Sequence, residues 1–155
     1  MTRSRFIVDT NVGHLARKLR MLGYDALFIN PIDDARLIRI AAEEGRVIVS
    51  SDRGIFERRP LKSGRVKGVY VDVRQKPLGQ LKEILKSFGD GESRPFVRCI
   101  RCNTLLIPKS HEEARGRIPP RVYESVREYD YCPRCDQFFW QGDHVKRMRE
   151  VIEKL

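Results

Sequence analysis

Short apolar runs alternating with helical patterns constrain the first ninety or so residues of this chain more than any other feature. Phe6-Ile7-Val8, Asp25-Ala26-Leu27-Phe28-Ile29 and Arg46-Val47-Ile48-Val49 are too short for helices and read as buried strands. Gly68-Val69-Tyr70-Val71-Asp72-Val73 alternates with β period and gives a fourth strand. Between the first two, Leu15, Ala16, Leu19 and Leu22 recur at helical spacing before Gly23. Leu37, Ile38, Ile40 and Ala41 do the same between a cap at Asp33 or Asp34 and a stop at Gly45. Asn30-Pro31 is a turn, Ile55–Arg59 a short helix and Lys62–Gly68 a mobile loop. Pro77 opens a further helix with Leu78, Leu81, Ile84, Leu85 and Phe88 on one face. Strand–helix alternation of this kind implies right-handed crossovers and an α/β fold with a mostly parallel sheet.

In such a sheet, chemistry gathers at the carboxyl ends of the strands. Asp9 directly follows the first strand, Asp34 opens the helix after the second, and Asp52 lies just past the third. These three carboxylates, far apart in sequence, are therefore expected to meet at one edge. Ionised carboxylates crowded together raise one another's pKa. A hard divalent cation, Mg²⁺ or Mn²⁺, relieves that repulsion and keeps positions open for a substrate phosphate. Taken singly, Asp33 or Asp34 also reads as a helix cap and Asp52 as a turn former before Gly54. Asp72 is a fourth candidate acid, and it also reads as a solvated residue facing away from Val71 and Val73.

All four cysteines fall in the last third, as Cys99-Ile100-Arg101-Cys102 and Cys132-Pro133-Arg134-Cys135. Two C-x-x-C knuckles present four thiolates to one ion, which fits a closed, structural Zn²⁺ site. The 29 residues between the knuckles must hold an insertion, with a short proline-started helix beginning near Ile118-Pro119-Pro120. Phe138, Phe139 and Trp140 are candidates to stack bases, while so small a module also needs aromatic burial, which favours packing as their role. His144 precedes a final helix, Val145–Leu155, and is a further candidate, structural or functional.

A net charge of +10 on 155 residues favours a polyanionic partner. Nucleic acid fits better than a membrane, because the chain has neither a long apolar run nor an amphipathic anchor. Met1-Thr2-Arg3-Ser4 leads straight into the first strand, so a cytoplasmic, reducing setting is expected. Arg17, Lys18, Arg20 and Arg53 are the first cations to consider for phosphate contacts beside the acids.

Several blocks carry a family resemblance. Val8-Asp9-Thr10-Asn11 with Gly13-His14-Leu15-Ala16-Arg17-Lys18-Leu19-Arg20-Met21-Leu22-Gly23-Tyr24-Asp25 resembles the opening of PIN-like nucleases of the Mut-seven C-terminal type. Asp33-Asp34-Ala35-Arg36-Leu37 and Gly45-Arg46-Val47-Ile48-Val49-Ser50-Ser51-Asp52-Arg53 resemble the next two blocks. The paired cysteines and Phe139-Trp140-Gln141-Gly142-Asp143-His144 resemble that family's C-terminal zinc module. The resemblance implies a metal-dependent ribonuclease with Asp9, Asp34 and Asp52 as acidic ligands. Two departures stand out: Ser51 precedes the third acid where a basic residue is common, and Thr10-Asn11 follows the first. Asn11 then offers a neutral ligand or a supporting amide.

The expected organisation is a PIN-like sheet with flanking helices over 1–90, a linker over 91–95, and a four-cysteine zinc ribbon with a C-terminal helix over 96–155. The expected activity is hydrolysis of RNA phosphodiester bonds, endonucleolytic in mode, with the ribbon aiding substrate binding. Two other classes remain: an RNA-binding protein whose acidic cluster is degenerate, and a receiver-type phosphoryl-transfer domain. The second lacks a lysine after its fourth strand, where Arg74 stands.

Overall fold

The computed structural model describes residues 3–92, 94–142, 146, 147, 150, 153 and 154. Four parallel strands, β1 (Phe6–Val8), β2 (Ala26–Phe28), β3 (Val47–Ser50) and β4 (Gly68–Tyr70), form one sheet in the order β2-β1-β3-β4. The helices that follow them are α1 (His14–Met21), α2 (Asp34–Glu44), α3 (Arg53–Phe56), α4 (Arg59–Lys62) and α5 (Pro77–Phe88). None of the described helices is long and apolar enough to cross a membrane.

Each strand sends alternate side chains to opposite layers. Phe6, Val8, Val47 and Val49 pack with Leu15, Leu19, Leu81 and Ile84 from α1 and α5. Ile7 and Ile48 pack on the other face with Leu37, Ile38 and Ala41 of α2, with Ile55 of α3 and with Val66. Fully burying an apolar side chain of this size contributes about 1.5–3 kcal/mol. Strands of three or four residues make few ladder bonds, so the two flanking layers hold this sheet together.

Local chemistry sets where the elements begin and end. The Asp33 carboxylate accepts from Arg36 N at 2.8 Å and caps α2, and Gly45 stops that helix in the left-handed region at φ 65°. Pro77 occupies the first turn of α5, where its missing N–H costs nothing. Lys62 closes a short helix, and Val66, inside the stretch expected to be a mobile loop, is 3% exposed against the α2 layer. Apolar burial, which the polar composition of that loop conceals, pins it in place.

A second, antiparallel sheet is made by β5 (Ile107–Lys109), β6 (Tyr129–Cys132) and β7 (Gln137–Phe139), with α6 (Pro120–Ser125) between its first two strands. Ala114, Tyr129 and Phe138 form its small core, with Trp140 packed against them. This sheet is tied to the first at the outer edge of β2. Asn103 Oδ1 accepts from Ala26 N at 3.0 Å, and Arg20 Nε donates to Ala26 O at 2.9 Å. Arg20 also donates to the carbonyls of Ile100 and Arg101, and Asn103 Nδ2 donates to Asp25 Oδ1 at 2.7 Å. Nearby, Arg3 bonds the Asp90 carboxylate at 2.7 Å and Leu22 O at 3.0 Å, while Arg94 N donates to Leu22 O. The chain passes so close there that a Cβ on Gly23 would lie 2.3 Å from Arg94 O.

Candidate active site and metal centre

Strand parity places the acids. In β1, Ile7 faces α2, so Asp9 two residues on emerges on the same side; Ile48 and Ser50 of β3 repeat the pattern. Asp9 is 6% exposed and starts a single 3-10 turn, Thr10–Val12. Its Oδ1 accepts from Thr10 N at 2.8 Å, and its Oδ2 accepts from Ser50 Oγ at 2.7 Å. Ser50 Oγ in turn accepts from Asp52 N at 3.0 Å. One fully buried hydroxyl therefore joins the acid of β1 to the loop carrying the acid of β3.

Asp52 caps α3, its Oδ1 accepting from Gly54 N at 2.9 Å. Asp34 is the first residue of α2, and its Oδ2 lies 3.7 Å from Arg58 Nη2. Burial raises the Asp34 pKa, and the negative charges of Asp52 and Asp9 raise it further, with Arg58 opposing. The three carboxylates thus share one electrostatic neighbourhood at the carboxyl edge of the sheet. Among the described residues, the only side chains close enough together to hold a metal ion as they stand are the four cysteines, so the acids are related here by charge and by their place at the sheet edge.

The neighbouring candidates separate by role. Asp33 is exposed and occupied as the α2 cap, so the adjacent pair divides into one capping acid and one facing its fellow carboxylates. Asp72 is paired with Arg74 at 2.9 Å, and that partner holds its carboxyl below the usual range. Asn11 is exposed in the 3-10 turn. Arg53 follows Asp52 directly and stacks over the Tyr70 ring, 5.0 Å from its centroid. Arg17 and Lys18 lie on α1, whose layer covers the opposite face of the sheet from α2 and α3. Arg20 was expected among the phosphate-contacting cations. It is 5% exposed and gives its guanidinium to three backbone carbonyls, so it belongs to the packing between the two sheets. His144 and much of the helix expected over 145–155 lie outside the described residues.

Two participants went unnoticed in the sequence. Ser50 reads there as a loop residue; the structure makes it the end of β3 and the link between two acids. Arg58 reads as one surface cation among many, and nothing in its local pattern announces the pairing with Asp34 across two elements.

The cysteines come together as their spacing demands. The sulfur atoms of Cys99, Cys102, Cys132 and Cys135 all lie within 4.8 Å of one another, an arrangement that can hold a metal ion. All four are free thiols, and Cys135 N donates to Cys132 Sγ at 3.3 Å within its knuckle. The neighbouring Cys102 thiol, then burial, push Cys135 up to about 12. Burial opposes ionisation at Cys102 as well, but contacts with Thr104 and the other thiols hold it down at about 6. Four thiols so close cannot all ionise without a cation, so the cluster fits a closed four-thiolate site.

Comparison with known proteins gives the chain a family. A family model described as "Mut7-C RNAse domain" matches residues 4–152. The chain is 34% identical over 102 residues to the human protein named "Exonuclease mut-7 homolog". That match covers 64% of this chain and 12% of the human protein.

Proposed function

This chain belongs to the Mut7-C RNase domain family, a nuclease type, and on that premise we propose that it is a divalent-metal-dependent ribonuclease acting at Asp9, Asp34 and Asp52. The observation that carries the reading is the placement of the three acids at successive strand ends on one edge of the sheet, with Ser50 bonded to both Asp9 and the Asp52 loop; there burial, and then the charges of Asp52 and Asp9, raise the Asp34 pKa. A bound Mg²⁺ or Mn²⁺ would neutralise charge on the scissile phosphate and acidify an attacking water. The chain's own residues prepare that site. Thr10 N and Ser50 Oγ fix both oxygens of Asp9, so its orientation is set before any ligand arrives. Ser50 couples that orientation to the Asp52 loop, and Gly54 N fixes the Asp52 carboxylate. Arg58 offsets part of the charge on Asp34 and stands ready to pair with a phosphate instead.

In the same proposal, zinc occupies the four thiolates and completes the antiparallel sheet, which extends the surface open to substrate. The substrate is RNA, cut internally. The test uses an end-labelled single-stranded RNA and a circular RNA of the same sequence, each with Mg²⁺, Mn²⁺ or EDTA. Cleavage of both RNAs that needs the divalent ion is expected. Asp9→Asn, Asp34→Asn and Asp52→Asn should each remove most of it, and Ser50→Ala should lower it about ten-fold or more. Asp33→Asn should leave activity near wild type, because Asn caps a helix about as well as Asp. Full cleavage in EDTA overturns the metal site. An uncut circle with a shortened linear RNA overturns the internal mode. RNA binding without any cleavage turns the protein into an RNA-binding module with a degenerate acidic cluster.

A further inference from the structure

The acidic edge has an aromatic neighbour that its proposed chemistry does not use. Tyr70 ends β4, one of the two outer strands of the sheet, and is the Cα partner of Ser50 on β3. Paired residues of parallel strands present their side chains to the same face, about 4.8 Å apart. Tyr70 therefore stands one strand spacing from the hydroxyl that holds Asp9 at 2.7 Å. It is one of few large apolar side chains among the described residues left substantially exposed, at 37%.

The ring is also held in one orientation. Phe56 meets it edge-on, with centroids 6.2 Å apart and planes at 81°. Phe56 itself is partly buried in the α2 layer, so the support is anchored in the core. Arg53, next to Asp52 in sequence, lies over the ring at 5.0 Å. Beyond it, Arg58, Arg59, Lys62 and Arg65 are exposed along α3, α4 and the loop after them, with Glu57 the one acid in that stretch. A flat, fixed aromatic face beside the acidic edge, flanked by cations, is what single-stranded nucleic acid uses for base stacking and backbone tracking.

We propose that Tyr70 and Arg53 form a base-stacking clamp for single-stranded RNA next to the acidic site, and that the α3–α4 cations carry the adjoining backbone. The proposal rests on the nuclease reading only for the identity of the substrate. It assigns the strand's path to the β4 side of the site. Stacking on Tyr70 fixes the sugar–phosphate relative to Asp9, and Arg53 either stacks on the same base or pairs with its phosphate. Because every base has a π face, the clamp should favour single strands over duplexes without choosing a sequence.

The test measures binding without turnover. Anisotropy titrations of the zinc-loaded protein, with neither Mg²⁺ nor Mn²⁺ present, compare a labelled single-stranded RNA with a strand of equal length that lacks bases. Wild type should prefer the base-bearing strand. Tyr70→Ala should lose about ten-fold on that strand and much less on the abasic one, as removal of one stacking platform does. Tyr70→Phe should keep wild-type binding, and circular dichroism should show all three proteins folded. Equal losses on both strands, or no loss on either, overturn the clamp. Cleavage with Mg²⁺ is measured on the same wild-type sample. If nothing is cut while the base-dependent loss at Tyr70→Ala persists, the nuclease reading fails and the clamp stands.

Discussion

Asp25 accepts from Arg46 Nη1 at 2.7 Å and from Asn103 Nδ2 at 2.7 Å, at the point where strand β2 meets the first cysteine knuckle. Burial opposes its charge, but the Arg46 and Asn103 bonds outweigh it and hold the carboxyl at about 2. An acid whose folded pKa is depressed contributes stability that is complete above its unfolded pKa and is lost as pH falls through the folded one. For Asp25 that window runs from about 4 down to about 2. Asp25→Asn should therefore cost about 2 kcal/mol at neutral pH and flatten the acid limb between those values, read from urea midpoints at a series of pH values. Asp34 behaves in the opposite sense. Its raised pKa opposes folding once the group ionises, and a cation among the acids should reverse that.

The elements of the parallel sheet were legible in the sequence because each follows from a period. Short apolar runs and the Leu and Ile spacing on α1, α2 and α5 match the structure to within a residue or two. Strand β4, however, ends at Tyr70 rather than Val73, and the one helix expected over Ile55–Arg59 is replaced by α3 and α4 on either side of Glu57 and Arg58. The placement of the acids was legible as topology: Asp9 follows β1, Asp34 opens α2 after β2, and Asp52 follows β3. What escaped depends on partners distant in sequence. Arg20 reads with Arg17 and Lys18 as one basic face, yet it lies one helical turn past Ala16 and is drawn under by carbonyls of the knuckle eighty residues on. Strand β5 and its pairing with β6 carry no clear alternation and form because the two knuckles must close on each other. Asn103 is the hinge of this arrangement, in the left-handed region at φ 75° and bonded by its side chain to both Ala26 N and Asp25. Asn tolerates that backbone better than most residues. Asn103→Ala removes both bonds and adds strain, so a loss of about 2–3 kcal/mol in chemical denaturation is expected.

At the scale of the whole molecule, the described contacts joining the two sheets are polar, made by Arg20 and Asn103 with backbone groups and with Asp25. Cys99→Ser should abolish metal binding by the ribbon and melt the antiparallel sheet, because ligand energy is folding energy in so small a module. The parallel sheet, with two apolar layers of its own, should persist at a lower melting temperature. Metal content and thermal circular dichroism of Cys99→Ser beside wild type would show this; loss of all helical signal would mean that the first sheet cannot stand alone.

Both peptide groups of Ala26 that point away from β1 are taken up by Asn103 and Arg20. Without the knuckle, Ala26 N loses its partner Asn103, and Arg20 loses the Ile100 and Arg101 carbonyls that hold it in place, so β2 becomes a partly open strand margin able to recruit a second molecule. A chain cut at residue 90 should then self-associate as its concentration rises, visible by sedimentation, while the full chain does not. The cysteine module thus acts as a selvedge on the sheet, and shortening the protein for convenience would leave a fraying, sticky margin.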